Sequence, residues 1–176
     1  MHTRAEYKPE WIREDFVDFI AEKIDSIWAW KKIKAEIISV KPLSTDFIQL
    51  QLRPNKNFNF QAYQAGQSVL VTAIIGGVRQ QRSYSVVQVS PQGLLSIAVK
   101  RQGAVSNALT SLALGGIVEI SQPQGDFVLK PTERANLMIA SGSGITAIYA
   151  LLNSHLLNSS KPVDLLYFSR DNAYAA

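Results

Sequence analysis

Residues 136–157 read NLMIASGSGITAIYALLNSHLL, and three kinds of local structure follow one another there. NLMIA is a continuous apolar run, typical of a strand buried on both faces of a parallel sheet. SGSG predicts a turn, and the residues from 145 to 157 have a helical period. VDLLYFS at 163–169 repeats the apolar strand pattern. This order predicts one βαβ unit, the start of an α/β domain over 133–176.

Upstream of this unit the apolar period falls to two. Ile33, Ala35 and Ile37 alternate with polar residues, as in half-buried strands, and Gly76-Gly77 predicts a hairpin turn. We expect a closed, six-stranded antiparallel Greek-key barrel over 32–132, since closure removes exposed sheet edges. The pattern marks seven strand-like segments, near 33–37, 47–52, 69–75, 78–88, 94–100, 117–121 and 126–129, and one short helix near 104–113.

Residues 1–31 form a separate segment with a helical period over 9–30. Its apolar stripe consists of Ile12, Phe16, Phe19, Ile20, Ile24, Ile27 and Trp28. We expect an N-terminal helical extension that packs this stripe on the main domain. A helix that docks a partner or a membrane surface is the alternative, although its polar face lacks the lysines typical of membrane helices.

The composition excludes several classes of protein. Of the 176 residues, 47% are hydrophobic, which is enough for a packed core. No apolar run reaches the roughly 18–20 residues of a membrane span, and the charged N-terminus has no apolar signal core. We therefore expect a cytoplasmic protein. The absence of cysteine excludes disulfides and cysteine-ligated iron–sulfur clusters within this chain, and His2 and His155 alone do not make a metal site.

The charge is unevenly distributed. The first 31 residues carry five basic and seven acidic side chains, and the rest carry thirteen and seven, a balance of −2 against +6. A basic body suits an anionic partner, although ordinary surface charge also explains it. Single-stranded nucleic acid is a poor candidate, because Phe58, Phe60 and Tyr63 cluster in a loop with only Lys56 basic nearby.

The segment Arg82-Ser83-Tyr84-Ser85 places a guanidinium, a phenol and two hydroxyls on one predicted strand. Strand alternation puts Arg82 and Tyr84 on one face and the two serines on the other. An arginine can bind a diphosphate through paired hydrogen bonds, and a tyrosine offers a flat surface to an aromatic ligand. Taken alone, the segment better suits a solvated strand with one aromatic plug.

Three glycine motifs follow along the chain. Gly103-Ala104-Val105-Ser106-Asn107 opens the predicted short helix, where backbone N–H groups and a hydroxyl can hold an anion, or where Ser106 only caps the helix. Pro123-Gln124-Gly125-Asp126-Phe127 leads into the last predicted strand. Gly142-Ser143-Gly144-Ile145-Thr146-Ala147 matches the G-x-G-x-x-A dinucleotide loop, although such a turn can need glycine for geometry alone.

The order of these four motifs resembles that of the ferredoxin–NADP⁺ reductase superfamily over residues 32–171. Within it the chain is similar to bacterial reductases of the flavin reductase and the oxygenase or desaturase type, some of which carry a plant-type iron–sulfur domain. Alanine at 147, where many relatives have proline, departs mildly from the pattern. The resemblance implies a chain truncated within the nicotinamide-binding domain, without the residues that complete the hydride-transfer site.

The resemblance also implies roles for the motif residues toward a bound flavin. Arg82 and the 103–106 turn would bind the diphosphate, and Tyr84 would lie against the isoalloxazine or ribityl chain. Ser85 would hydrogen-bond near flavin N5, and residues 99–101 would hold the pyrimidine edge through backbone groups. The cofactor-binding set implied in this way is Arg82, Ser83, Tyr84, Ser85, Val99, Lys100, Arg101, Gly103, Ala104, Val105, Ser106, Gly142, Gly144, Thr146, Ser169 and Arg170; its catalytic members are Tyr84, Ser85 and Thr146.

The last five residues of that set, from Gly142 onward, would bind the electron donor. Gly142, Gly144 and Thr146 would line the nicotinamide site, with Ser169 and Arg170 at the adenosine ribose, where an arginine favours NADPH. The implied function is a reductase component that passes electrons from NADPH through FAD, in preference to FMN, to an iron–sulfur or flavodoxin-type acceptor. The alternative is a non-catalytic flavin-binding or regulatory module.

Overall fold

The computed structural model of the protein describes residues 27, 29, 31–130 and 135–169. Apart from residues 27 and 29, the predicted helix over 9–30 lies outside the described residues, as does Arg170. Within the described ranges, no helix is both long enough and apolar enough to cross a membrane.

Six antiparallel strands close into a barrel, as the alternating apolar pattern predicts. Their order around the barrel is β1-β2-β5-β4-β3-β6, and β6 pairs with β1 to complete the ring. The strands are β1 (Ile33–Pro42), β2 (Phe47–Pro54), β3 (Ser68–Ile75), β4 (Val78–Val89), β5 (Leu95–Lys100) and β6 (Ile117–Ile120). Closure gives each strand a neighbour on both sides, so the ring has no free edge.

The core of the barrel comes from every second residue of these strands. The side chains with essentially no exposure include Ile37, Leu50, Leu52, Val69, Val71, Val86, Leu95, Ile97 and Val99. A short helix, α1 (Ala104–Thr110), closes one end of the barrel with Val105 and Leu109. The period-two pattern thus predicts both the strands and the residues that fill the barrel.

Two predictions of secondary structure are wrong. Residues 126–129 do not form a strand: after one isolated bridge between Ser68 and Gln124 the chain is irregular. The reason is that β6 already pairs with both β1 and β3, which leaves no open edge for another strand. The helix predicted near 104–113 ends at Thr110, where Ser111 caps it.

A βαβ unit follows the barrel, as predicted. It consists of β7 (Asn136–Ser141), α2 (Ile145–Asn158) and β8 (Val163–Phe168), with β7 and β8 parallel. One sheet face packs on α2 through Met138, Ala140, Ile148 and Leu151, which form a second small core. The other face, with Leu137 and Phe168 among its residues, is exposed, so one face of the predicted strands is buried rather than two.

The barrel and the βαβ unit meet at Gly66, just before β3. Its φ is +94°, and a Cβ added there would collide with the carbonyl oxygen of Phe127 and lie 2.7 Å from Leu151 Cδ2 on α2. The loop that contains Gly66 is also tied to the segment after β6, because Gln67 Nε2 donates to the Gly125 carbonyl at 3.1 Å. Because Gly66 has no side chain, Leu151 of α2 can lie directly against its backbone, which sets how closely α2 approaches the barrel.

The aromatic residues of the loop after β2 belong to the core and not to a binding surface. Phe58 is 5% exposed and packs edge-on against Phe60, with ring centroids 4.8 Å apart. Tyr63 donates its hydroxyl to the Val86 carbonyl at 3.1 Å, and burial raises the pKa of Tyr63 to about 12. These three side chains therefore do not form the open stacking surface that a single-stranded nucleic acid needs.

Candidate functional site

A cleft of about 520 Å³ opens where β4 and β5 separate. Along β4, pairing with β5 begins at Val86, opposite Ile97, whereas pairing with β3 continues back to Val78. The wedge left between the two strands is bounded by the start of α1 and by the turn between β7 and α2. The cleft thus brings the barrel and the βαβ unit together around one space.

Most of the predicted site residues line this cleft. They are Arg82, Ser83, Tyr84, Ser85, Lys100, Gly103, Ala104, Val105, Ser106, Gly144 and Thr146. Residues that are far apart in the sequence therefore line the same cleft, a proximity that no single motif could establish. Four lining residues were not predicted: Phe47, Ala98, Gln102 and Ser143.

The other predicted residues lie outside the lining. Val99 is fully buried in the barrel core, so that only its backbone can serve a ligand. The backbone N–H of Arg101 donates to the Asp46 carbonyl at 2.8 Å and is already used. Gly142 and Ser169 do not line the cleft, and Arg170 is outside the described residues.

The β3–β4 register shows how the Arg82 motif is presented. Arg82 and Tyr84 lie opposite Val71 and Val69 on one face, as alternation predicts. On the other face Ser83 Oγ donates to Ser68 Oγ at 2.8 Å. Arg82 Nη1 donates to the neighbouring Gln81 carbonyl at 2.7 Å, which holds the guanidinium along its strand.

Tyr84 combines a half-buried ring with a phenol that keeps its proton. Burial raises the pKa of Tyr84, and the nearby Arg82 guanidinium partly opposes that shift. Because the ordinary value is already near 10, the hydroxyl is neutral at physiological pH and can donate a hydrogen bond. The ring offers a planar surface to a ligand in the cleft.

The start of α1 supplies backbone groups, while its serine acts within its own turn. Ser106 Oγ accepts from the backbone N–H groups of Gln102 at 3.1 Å and Gly103 at 3.0 Å. It also donates to the Gly103 carbonyl at 2.9 Å. This geometry favours the capping interpretation of Ser106, and leaves the first backbone N–H groups of the helix, at Ala104 and Val105, without a helical acceptor.

Two of the glycines that line the cleft are not required by the local backbone conformation. Gly103 and Gly144 have backbone conformations open to other residues, with φ of −172° and −62°. A Cβ added to either would meet no protein atom within 4 Å. A side chain at either position would occupy part of the cleft, so both glycines leave room for a ligand to approach the backbone closely.

The turn between β7 and α2 is held from both sides. Thr146 Oγ1 donates to the Ser143 carbonyl at 3.0 Å, and the Tyr167 hydroxyl donates to the Gly142 carbonyl at 3.3 Å. Gly142 has φ of +51°, a conformation that favours glycine. At this glycine the turn itself explains the residue, in contrast to Gly144.

The charge of the cleft is positive. Arg82 and Lys100 line it, and none of the described lining residues is a carboxylate. Lys100 Nζ lies 5.6 Å from the centroid of the Phe47 ring. Two cations, a planar phenol, free helix-start amides and glycine-lined space together suit an elongated, anionic ligand with an aromatic part.

The fold and this cleft define a nucleotide-binding barrel joined to an α/β unit, and a family comparison names its class. The family model "Oxidoreductase FAD-binding domain" matches residues 34–129, more than half of the chain. The chain belongs to this family. The match confirms the resemblance to ferredoxin–NADP⁺ reductases and the prediction that the cofactor is FAD.

Curated relatives agree with this assignment. The chain is 29% identical over 153 residues to a flavohemoprotein of a Burkholderia species, covering 85% of this chain and 39% of the relative. It is 29% identical over 150 residues to an NADPH oxidoreductase of Mycobacterium tuberculosis, covering 80% and 39%. The chain therefore spans about two fifths of the length of these relatives.

Solved structures show the same fold. The ferredoxin reductase in carbazole 1,9a-dioxygenase has a TM-score of 0.71 at 28% identity, covering 82% of this chain and 44% of that one. The flavohem-like FAD/NAD binding domain of nitric oxide dioxygenase from Vibrio cholerae reaches 0.74 at 24% identity, covering 82% and 65%. These likenesses confirm the barrel followed by a βαβ unit.

Proposed function

We propose that this chain is the flavin-binding part of a reductase that passes electrons from NADPH through FAD to an iron–sulfur or flavodoxin-type acceptor. The cleft carries the proposal, because its described lining residues include two cations and no carboxylate at the meeting point of barrel and βαβ unit. A diphosphate-containing flavin matches that charge, and the βαβ side leaves a second approach for a pyridine nucleotide. The NADPH oxidoreductase relative supports the choice of donor.

Each lining residue has a task that its chemistry allows. Arg82 and the Ala104 and Val105 amides would hold the diphosphate, because a guanidinium and the N–H groups at a helix start both donate hydrogen bonds to phosphate oxygens. The Tyr84 ring would support the flavin, and its phenol and Ser85 would offer hydrogen bonds to it. FAD, when bound, supplies the hydride and electron chemistry, and the protein contributes placement and electrostatics.

The βαβ side would receive the electron donor. Gly144 keeps its part of the cleft open, and the Thr146 hydroxyl, 3.0 Å from the Ser143 carbonyl, holds the turn that a nicotinamide would approach. Because Gly144 and the Tyr84 wall share one cleft, a bound nicotinamide and flavin could stack without bulk water between them.

The type of electron acceptor in this proposal is suggested by a similar protein of known structure. The solved phthalate dioxygenase reductase is described as a modular structure for electron transfer from pyridine nucleotides to a [2Fe-2S] centre. It shares this fold with a TM-score of 0.69 and 24% identity. The basic balance of residues 32–176 also suits an acidic acceptor surface.

The test begins with the cofactor. We expect the purified chain to bind FAD in preference to FMN, because the cleft provides donors for a diphosphate and FMN has one phosphate. Heat-released cofactor is identified by chromatography, and recovery of FMN alone would contradict the assignment. Anaerobic NADPH is then added to the longest gene product that contains this chain. Loss of flavin absorbance supports a reductase, whereas a yellow protein that NADPH does not bleach supports the flavin-binding module.

Coenzyme choice gives a second prediction. In the sequence Arg170 lies 26 residues after Gly144 and two residues after Phe168, the last residue of β8, and in a dinucleotide-binding unit the end of this strand meets the adenosine ribose. Asp164 lies at the other end of β8 and cannot serve the NAD role there. We expect the same gene product to prefer NADPH, and Arg170→Ala to lower kcat/KM for NADPH by about tenfold or more.

The control for this prediction is NADH. Its kcat/KM should change little in Arg170→Ala, because NADH has no 2′-phosphate for the guanidinium to bind. A wild-type protein that prefers NADH would defeat the assignment, and so would a variant that loses both coenzymes equally.

A further inference from the structure

Phe47 and Lys100 form a pair on the wall of the cleft that no motif predicted. Phe47 opens β2, Lys100 ends β5, and the two are direct partners in the antiparallel register. Lys100 Nζ lies 5.6 Å from the Phe47 ring centroid, within the range of a cation–π interaction. Both side chains are half-buried and both line the cleft.

The aromatic ring restricts where the ammonium can lie. A lysine side chain has several rotatable bonds, and a cation–π contact at a partly exposed site favours one placement by about two- to fivefold. None of the described lining residues is a carboxylate that would draw the ammonium elsewhere in the cleft. Phe47 is therefore the contact that keeps the Lys100 charge on this wall.

The two cations of the cleft are held in different surroundings. Arg82 is fixed along its own strand by the Gln81 carbonyl, whereas Lys100 is held on an aromatic ring. The aromatic side chains Phe47 and Tyr84 mark the part of the cleft that suits a planar ring system. Lys100 is therefore a cation in contact with one of the aromatic side chains of the lining, whereas the Arg82 guanidinium is hydrogen-bonded to its own strand.

We propose that Phe47 is a positioning residue that holds the Lys100 ammonium beside the flavin ring, so that the pair favours reduced over oxidised flavin. The proposal rests on the proposed function. Two electrons and one proton, the hydride that a reduced pyridine nucleotide donates, turn a neutral oxidised ring into one that carries a single negative charge. A fixed cation stabilises the charged form more, whereas the diphosphate charge is the same in both forms.

The test compares the midpoint potential of bound FAD in wild type, Phe47→Leu and Lys100→Gln. We expect both variants to bind reduced FAD about two- to tenfold more weakly relative to oxidised FAD, a shift of up to about 30 mV to more negative potential. Phe47→Tyr and Lys100→Arg keep the ring and the charge, and should keep the wild-type potential. Lys41→Gln, an exposed lysine on β1 outside the cleft lining, is the matched control.

Three other outcomes are informative. If Lys100→Gln weakens the binding of both redox forms equally, the potential stays unchanged, the ammonium serves the phosphates, and the proposal is wrong. An unchanged potential in Phe47→Leu alone would show that the ring does not position the charge. A wild-type chain that binds no FAD would overturn the proposed function instead. Lys100→Gln removes only a half-buried strand-end charge, so it tests the proposal even if Phe47→Leu does not fold.

Discussion

Arg82→Ala is expected to weaken FAD binding by about ten- to a hundredfold. A hydrogen bond to a charged group contributes about 1.5–3 kcal/mol, and the guanidinium can give two such bonds to a diphosphate. Arg82 lines the cleft at the point where β4 leaves β5, and among the described residues its guanidinium donates to the neighbouring Gln81 carbonyl. Titration of the cofactor-free chain with FAD, followed by flavin fluorescence, measures the loss.

Arg79→Ala provides the control from the same strand. Arg79 lies outside the cleft lining, and its Nη2 lies 2.5 Å from Glu119 Oε1 on β6. Removing this largely exposed ion pair should cost at most about 1 kcal/mol of stability and leave FAD affinity within about twofold. Equal losses of FAD affinity in the two variants would show that Arg82 is not the phosphate ligand.

Local patterns were sufficient to predict the barrel and most of the cleft. Period-two alternation identifies strands because one face of each is buried, and the buried residues of β2, β3 and β5 follow it closely. The glycine turns and the Arg82 motif were recognisable because their chemistry lies within a few neighbouring residues. Their convergence on one cleft followed from the family's motif order, and the pairing of the strands now explains it.

Features that depend on distant neighbours could not be predicted in this way. Residues 126–129 have a strand-like sequence, but a strand forms only where another strand offers a free edge. Both edges of β6 are already paired, one with β1 and the other with β3. Phe47 looked like any apolar strand residue. Only the register that places it opposite Lys100 shows that it faces the cleft. Ser106 had two plausible roles, as an anion ligand or as a helix cap. Its hydroxyl accepts hydrogen bonds from two backbone N–H groups of its own turn, and this geometry favours the capping role.

Gly66 is the clearest case of a position whose importance only the tertiary structure shows. In the sequence it is one glycine in a loop between two strands. In the structure its φ of +94° and its contact with the Phe127 carbonyl allow the barrel to approach Leu151 on α2. The same helix begins beside Gly144 and Thr146 in the cleft. The packing at Gly66 is therefore connected to the geometry of the site.

Gly66→Ala should be the most destabilising of the substitutions proposed. A non-glycine residue at this φ costs about 1–3 kcal/mol, and the collision with backbone and with Leu151 adds the cost of overpacking. We expect the free energy of unfolding to fall by at least about 2 kcal/mol and Tm by at least about 4 °C. Gly76→Ala separates the two causes, because its φ of +57° also favours glycine but an added Cβ meets nothing within 4 Å. That variant should lose about 1 kcal/mol and keep its FAD affinity, whereas Gly66→Ala should lose FAD affinity as α2 moves away from the cleft. Similar stability losses with unchanged FAD affinity in both would show that the junction does not position the site.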